Sequence, residues 1–215
     1  MNDNLFETQY NLTKKTKIRE VYDKYKILIF STLAIFVIIL IFLNFYYEKK
    51  KNDRIILSES YIQAKIYIEN DNKLKAEEIL KNIIFSNDST YSTLSLFLLL
   101  DQNIINDKQE LLKLFDHVLE NCNFDKNTEN LIILKKSIFQ SDFSNENDLL
   151  NTLKPILSGE TLWKPHALLL MGDYYFGNDE KQKAKDFYGE ILIFKNLDNE
   201  FYNRAKMQLA IINDE

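Results

Sequence analysis

Glycine, proline and cysteine are scarce in this chain of 215 residues, which contains four, two and one of them respectively. Four glycines cannot build a glycine-rich phosphate-binding loop, and the single Cys122 excludes an internal disulfide bond. His117 and His166 are the only histidines, and neither stands in the His-Glu-x-x-His spacing of a zinc enzyme. The sequence therefore predicts no catalytic residues, no cofactor and no metal site, and hence a protein that is not an enzyme.

Clustered positive charge is also lacking. The net charge of the chain is −5, and residues 1–48 hold six basic and five acidic residues. The remaining residues hold 21 basic and 27 acidic residues. Because nucleic-acid-binding surfaces are basic and clustered, the predicted partners do not include nucleic acid.

One long apolar run lies near the N-terminus, in the stretch KYKILIFSTLAIFVIILIFLNFYYEKKK at residues 24–51. Residues 27–45 carry no charge. As a helix they span about 28 Å, close to the roughly 30 Å of a bilayer hydrocarbon core. The run has no polar stripe, and no small-residue cleavage site follows it. It predicts a retained single-pass transmembrane helix over residues 27–47, with an uncleaved signal or a buried core helix as the alternatives.

Basic residues flank this run unequally, with six lysines and arginines within residues 14–26 and four within residues 49–54. An excess of basic residues marks the cytoplasmic side of a membrane helix. We therefore expect residues 1–26 to form a cytoplasmic tail, residues 48–57 a linker that continues the helix, and residues 58–215 a domain outside the cytoplasm. The tail is interpreted as an anchoring segment, with a docking peptide for a cytoplasmic regulator as the alternative.

The large domain carries apolar residues at helical spacing, as in LKAEEILKNII, KQELLKLFDHVL and KAKDFYGEILIF. Short polar turns such as ENDN and GNDEK separate these segments, and the pattern predicts an all-α domain of antiparallel helix pairs. Ala76, Leu111, Leu149 and Ala184 follow successive polar turns at intervals of 35, 38 and 35 residues. A period of about 34 indicates tetratricopeptide repeats, and the domain is predicted to be a degenerate tetratricopeptide-like α-solenoid.

The repeat in LLLMGDYYFGNDEKQKAKDFYGEI matches the tetratricopeptide pattern most closely, since Gly172 and Tyr175, and then Ala184 and Tyr188, keep the required spacing. The two middle repeats are degenerate, because leucine stands where the small alanine belongs. Gly172 is predicted to lie where two helices touch. Gly172→Leu should therefore force the helices apart, whereas His166→Ala is expected to leave stability nearly unchanged.

Stacked helix pairs leave a concave surface lined by the first helix of each pair, and such surfaces bind protein segments. The repeat pattern places seven residues on this surface, and the alternative for each is an ordinary residue of a helix surface. The predicted protein-binding residues are Tyr61, Lys65, Ile68, His166, Leu169, Asp173 and Phe176.

The order of these segments resembles a known family. A charged tail with LFET precedes the membrane run KYKILIF, and the repeat domain ends in KPHALLLMGDYYFGNDEKQKAKDFYGEIL and NRAKMQLAII. This order is similar to that of the bacterial ancillary SecYEG translocon subunit family, the YfgM-like proteins, whose repeat domain is shared with a cell-division coordinator. The resemblance covers nearly the whole chain and is sharpest over residues 161–212.

The resemblance implies an inner-membrane protein with a cytoplasmic N-terminus and a periplasmic repeat domain. Its implied partners are translocon subunits, a membrane-anchored periplasmic chaperone and exported protein clients. The first functional hypothesis is therefore a binding module that helps transfer exported proteins from the translocon to periplasmic chaperones. The alternative hypothesis is a scaffold for envelope assembly or cell division that uses the same domain for another client.

Overall fold

The computed structural model describes the backbone of residues 3–194 and 199–214, and within these residues all regular structure is helical. The prediction of an all-helical protein with one long apolar N-terminal helix is confirmed. The described helices are α1 (Asp3–Glu69), α2 (Lys73–Ile84), α3 (Ser89–Asp101), α4 (Lys108–Asn121), α5 (Lys126–Ser141), α6 (Glu146–Leu157), α7 (Lys164–Gly177), α8 (Lys181–Leu192) and α9 (Asn199–Asp214).

The apolar run lies within α1. Among the described residues, one helical segment, Val21–Glu69, is long and apolar enough to cross a membrane. Every side chain that the structure describes between residues 21 and 56 is exposed, including 57% of Phe36 and 52% of Ile38. A core helix of this chain would bury such residues, so the alternative of a buried core helix does not hold.

The chain divides into two compact units, Met1–Ile56 and Leu57–Glu215. The division falls beside residue 58, where the sequence places the start of the large domain. The second unit contains the end of α1 and helices α2 to α9.

Helical hairpins recur within the second unit. The second helices of four successive pairs, α2, α4, α6 and α8, begin at intervals of 35, 38 and 35 residues. Ala76, Leu111, Leu149 and Ala184 are each the fourth residue of one of these helices, and each is buried. The four residues therefore occupy equivalent packing positions although two are alanine and two are leucine.

Two groups of buried side chains hold the second unit together. The first group extends from Ala64 of α1 to Ile132 of α5, and the second from Ile133 of α5 to Ile212 of α9. Ile132 and Ile133 are adjacent in α5 but belong to different groups, because neighbouring residues of a helix point in directions about 100° apart. Helix α5 thus contributes to both groups.

Short polar residues begin the helices. Asp88, Asp107 and Asp125 each accept hydrogen bonds from two backbone N–H groups in the first turn of α3, α4 and α5. These side chains satisfy donors that have no partner within the helix. Hydrogen bonds from the side chain and backbone of Thr128 lower the pKa of the Asp125 carboxyl.

Asparagine and aspartate also close the turns between helices. Asp71, Asn87, Asn103 and Asp179 have φ angles between 47° and 61°, in the left-handed region. Glycine is the usual residue at such positions, and Asn and Asp tolerate them better than other residues do. Among the described residues no glycine has a positive φ. The chain can therefore fold into many short turns with four glycines.

Helices α7 and α8 pack tightly against each other at Gly172. This residue is buried, and a Cβ atom added to it would lie 2.5 Å from Cε1 of the fully buried Tyr188. Carbon atoms in contact are separated by about 3.5–4.0 Å, so no larger residue fits without movement of the ring. The expectation that two helices touch at Gly172 agrees with this contact.

Candidate functional site

The predicted binding residues of the last hairpin lie along one side of α7, where His166, Leu169 and Asp173 follow helical spacing. The His166 ring centroid lies 5.2 Å from that of Trp163 and 4.5 Å from that of Phe201 in α9. Burial lowers the pKa of the His166 imidazole, and a hydrogen bond to the backbone of Leu162 offsets part of this effect. His166 is therefore part of an aromatic contact between α7 and α9.

Asp173 joins three helices through its two carboxylate oxygens. The Tyr188 hydroxyl of α8 donates a hydrogen bond to Oδ1 of Asp173 at 2.7 Å. Nη2 of Arg204 in α9 donates a hydrogen bond to Oδ2 at 2.7 Å. Burial raises the pKa of Tyr188, and the hydrogen bond to Asp173 raises it further. The Asp173 carboxylate thus pairs with α9 while remaining partly exposed to solvent.

The other predicted residues of this hairpin belong to its core. Leu169 is 7% exposed, and the half-buried Phe176 packs against the same group of buried side chains. Ala205 and Ile212 of α9 are buried in that group too. The surface that the repeat pattern assigned to a partner therefore lies, over His166 and Asp173, against the closing helix of the chain.

The predicted residues of α1 have different surroundings. Tyr61 and Ile68 are half-buried against the first core group, whereas Lys65 is exposed. The Tyr61 and Tyr91 ring centroids are 6.3 Å apart, and burial, followed by the charge of Asp101, raises the pKa of Tyr61. The seven predicted residues thus form two sets, one beside each core group, and remain a prediction as a single binding surface.

The structure adds a surface on α3 and α5 that the sequence prediction missed. Lys135 of α5 lies 3.8 Å from an Asp101 oxygen of α3, and its ammonium lies 5.4 Å from the Phe97 ring centroid. Leu94, also on α3, is 41% exposed. The repeats that contain α3 and α5 are too degenerate to assign residues, and the offsets of the other repeats, counted back from Leu111 and Leu149, do not fall on Lys135 or Leu94.

A groove of about 380 Å³ lies beside this surface, between the start of α3 and the start of α5. Hydroxyl groups and two apolar side chains form most of its wall. Its lining residues are Ser89, Thr90, Thr93, Leu94, Asn123, Phe124, Asp125 and Thr128. A shallow groove with mixed polar and apolar walls is suited to a peptide segment more than to a small metabolite, which needs an enclosed pocket.

A second polar cluster connects α6, α7 and α8. The Tyr175 hydroxyl donates a hydrogen bond to Glu146 at 2.7 Å, and the Lys183 ammonium donates hydrogen bonds to both Glu146 carboxylate oxygens at 2.9 and 3.0 Å. The hydrogen bond from Tyr175, followed by that from Lys183, lowers the pKa of the Glu146 carboxyl. Because Tyr175 is 2% exposed, this cluster satisfies a buried hydroxyl and fastens one hairpin to the next.

In the part of the chain that the structure describes, no group of three His, Cys, Asp or Glu side chains is placed to hold a metal ion. Cys122 is half-buried at the end of α4, and burial raises the pKa of its thiol. A raised pKa leaves less of the reactive thiolate at neutral pH.

The fold and these surfaces define an all-helical protein with one helix able to cross a membrane and a unit of successive helical hairpins. No family model, curated protein or solved structure matches this chain. The resemblance to the translocon-associated family therefore remains a prediction.

Proposed function

We propose that this protein is a membrane-anchored protein-binding module whose unit Leu57–Glu215 is a degenerate tetratricopeptide-like solenoid. The observation that supports it most is the recurrence of helical pairs at intervals of 35, 38 and 35 residues, with an equivalent buried residue in each second helix. Stacked helix pairs form extended surfaces that bind protein segments. The exposed side chains of Lys65 in α1 and Leu94 in α3, together with the groove beside α3, are the contact surface in this proposal.

The membrane topology is part of the same proposal. α1 crosses a bacterial inner membrane once, with its N-terminus in the cytoplasm. The unit Leu57–Glu215, called the hairpin unit below, lies in the periplasm. The excess of basic residues before the apolar run supports this orientation. A protease added to intact spheroplasts should digest the hairpin unit from the outside. A hairpin unit that stays protected until the membrane is permeabilised would contradict the orientation.

The proposed partners are the SecYEG translocon and a membrane-anchored chaperone, and the proposed role is transfer of exported proteins to periplasmic chaperones. The resemblance in segment order supports this choice. Tethering also supports it, because confinement to the membrane raises the effective concentration toward neighbouring membrane proteins. A weak contact is then sufficient, and weak binding suits a client that must be released.

Site-specific photocrosslinking in native membranes tests this proposal. A photoreactive residue at Lys65 or Leu94 reports on the proposed contact surface, and one at the exposed Glu78 of α2 serves as the control. We expect translocon and chaperone subunits to crosslink at the first two positions and not at Glu78. Wall-synthesis or division proteins in their place would indicate the alternative scaffold function. Equal crosslinking at all three positions would contradict a defined binding surface.

A further inference from the structure

Helix α9 lies on the second core group as an amphipathic helix. Its apolar face packs against this group through residues at helical spacing, namely Phe201, Ala205, Leu209 and Ile212. Met207, on the opposite side of the helix, is 58% exposed. Among the described residues of α9, Ala205 and Ile212 are the ones buried to below 5% exposure. The face of α7 that it contacts includes two of the residues predicted to bind a partner.

α9 packs more extensively on α8 than on α7, and it buries fewer side chains than either of these helices. α7 alone buries seven residues, from Pro165 to Tyr175. The Asp173–Arg204 ion pair is partly open to solvent, with the two side chains 32% and 51% exposed. Elements with few buried contacts open at lower free energy than the core of a unit. We therefore expect α9 to separate from α7 and α8 more readily than these two helices separate from each other.

We propose that α9 is an internal ligand: the α7 face formed by His166, Leu169 and Asp173 is a docking site for an amphipathic helix of a partner protein, and α9 occupies it until that partner displaces it. The inference rests on the proposed protein-binding function and names the partner class. The competing helix carries apolar residues at the spacing of Phe201, Ala205 and Ile212. It also carries a cation at the position of Arg204.

The chemistry of the site explains this choice of partner. The Asp173 carboxylate is held in place by the Tyr188 hydroxyl, so it is oriented before any cation arrives. The aromatic rings of Trp163 and His166 form an apolar wall that accepts a ring such as Phe201. A helix is recognised through apolar residues on one face, and a charged pair at its edge sets the register.

A labelled peptide with the sequence of residues 199–214 tests the proposal on the purified full-length protein in detergent. Arg204→Glu in the protein places a carboxylate beside Asp173 and should release the resident helix. We expect this variant to bind the peptide at least tenfold more tightly than the wild type, whose site is occupied. A peptide with Phe201→Ala should bind the variant at least fivefold more weakly, whereas a peptide with Met207→Ala should bind unchanged, because that side chain faces away.

Hydrogen exchange of the same proteins measures opening independently of binding. Faster exchange confined to α9 in Arg204→Glu, together with peptide binding, supports the proposal. Faster exchange in α9 without peptide binding overturns it. Faster exchange that extends through α7 and α8 also overturns it, because α9 is then an inseparable part of the hairpin core. No translocon component is present in this experiment, so its failure is distinct from a failure of the crosslinking test.

Discussion

Gly172 illustrates how a single atom decides the packing of a hairpin. Its missing Cβ provides the space that the Tyr188 ring fills, and the ring then reaches Asp173 with its hydroxyl group. A side chain at this position displaces the ring and disturbs the hydrogen bond together with the packing. The tyrosine and the glycine are therefore one packing unit across α7 and α8.

Gly172→Ala is expected to lower the free energy of unfolding by about 1–3 kcal/mol, because the added methyl group overlaps the Tyr188 ring. Gly189→Ala is the matched control, since no atom of the described residues lies within 4 Å of a Cβ added there. Alanine inside a helix stabilises it relative to glycine by about 0.5–1 kcal/mol, so the control should unfold at higher denaturant concentration. Urea titrations of both variants measure the difference, and equal midpoints would contradict this packing.

The surroundings of His166 change the expectation for that residue. A helix-surface histidine could be replaced by alanine with little effect, but this ring lies against Trp163 and Phe201. Aromatic contacts of this kind contribute about 0.5–1.5 kcal/mol beyond their buried area. His166→Ala is therefore expected to be destabilising, because it removes a contact between α7 and α9.

Acid is expected to lower the stability of the unit Leu57–Glu215 through protonation of His166. Burial holds its pKa below the ordinary value of 6.5, so the unfolded chain binds the proton more tightly than the folded chain does. The stability is fully present above pH 6.5 and falls as the pH drops through that value toward the folded pKa. Urea midpoints at pH 7.5 and pH 5.5 should therefore differ more in the wild type than in His166→Phe. An identical pH dependence in both proteins would contradict a lowered pKa of His166 in the folded protein.

At the scale of the element, the left-handed turn residues explain how helical pairs form with so little glycine. Asn103 ends the turn after α3 with a φ of 47°, whereas the preceding Gln102 has a φ of −92°. A residue with a Cβ is strained at the first angle and relaxed at the second. Adjacent positions of one turn therefore respond to glycine in opposite directions.

Asn103→Gly is expected to raise the free energy of unfolding by a few tenths of a kcal/mol up to about 1 kcal/mol, since it relieves the left-handed strain. Gln102→Gly should lower it by about 0.5–1 kcal/mol, because glycine there only adds freedom to the unfolded chain. Thermal melts of the two variants provide the comparison. A loss of stability in both would mean that the Asn103 side chain contributes more than its backbone angle costs.

Helix positions within the hairpin unit follow mainly from local sequence. Asn and Asp residues stand at the starts and turns that the polar segments predicted, and Ala76 and Ala184, which set the repeat period, are both buried. The contact of Lys135 with Asp101 was not predicted, because it joins helices of two degenerate repeats. Side chains of different helices meet according to the packing of those helices, which the helical period does not specify.

At the scale of the whole molecule, the two units carry separate roles in the proposed function. The unit Met1–Ile56 contains exposed apolar side chains, which face lipid in the proposed function, and the unit Leu57–Glu215 contains both core groups. Each core group is complete within the second unit. Membrane attachment and folding of the hairpins are therefore expected to respond to different substitutions.

The double variant Ile35→Arg/Ile38→Arg should lose membrane retention, since each arginine near the centre of a spanning helix costs about 2.5–3.5 kcal/mol. The control Ile62→Arg/Ile66→Arg changes two isoleucines of the second unit that are 55% and 50% exposed. Extraction of membranes with alkaline carbonate separates the two outcomes. The first variant should appear in the soluble fraction and the second in the membrane fraction. Retention of both in the membrane would mean that residues 27–47 are not the anchor.

The sequence by itself determined the helical class, the apolar segment and the recurring pairs of this protein. Each of these features depends on residues within one helix or one turn, where the 3.6-residue period and capping residues act over short distances. Only the tertiary structure decided that α9 lies on the α7 face predicted for a partner. Asp173 and Arg204 are 31 residues apart, and the helical period of neither segment encodes their meeting. That contact depends on how α8 orients α9, through the buried packing of three helices together.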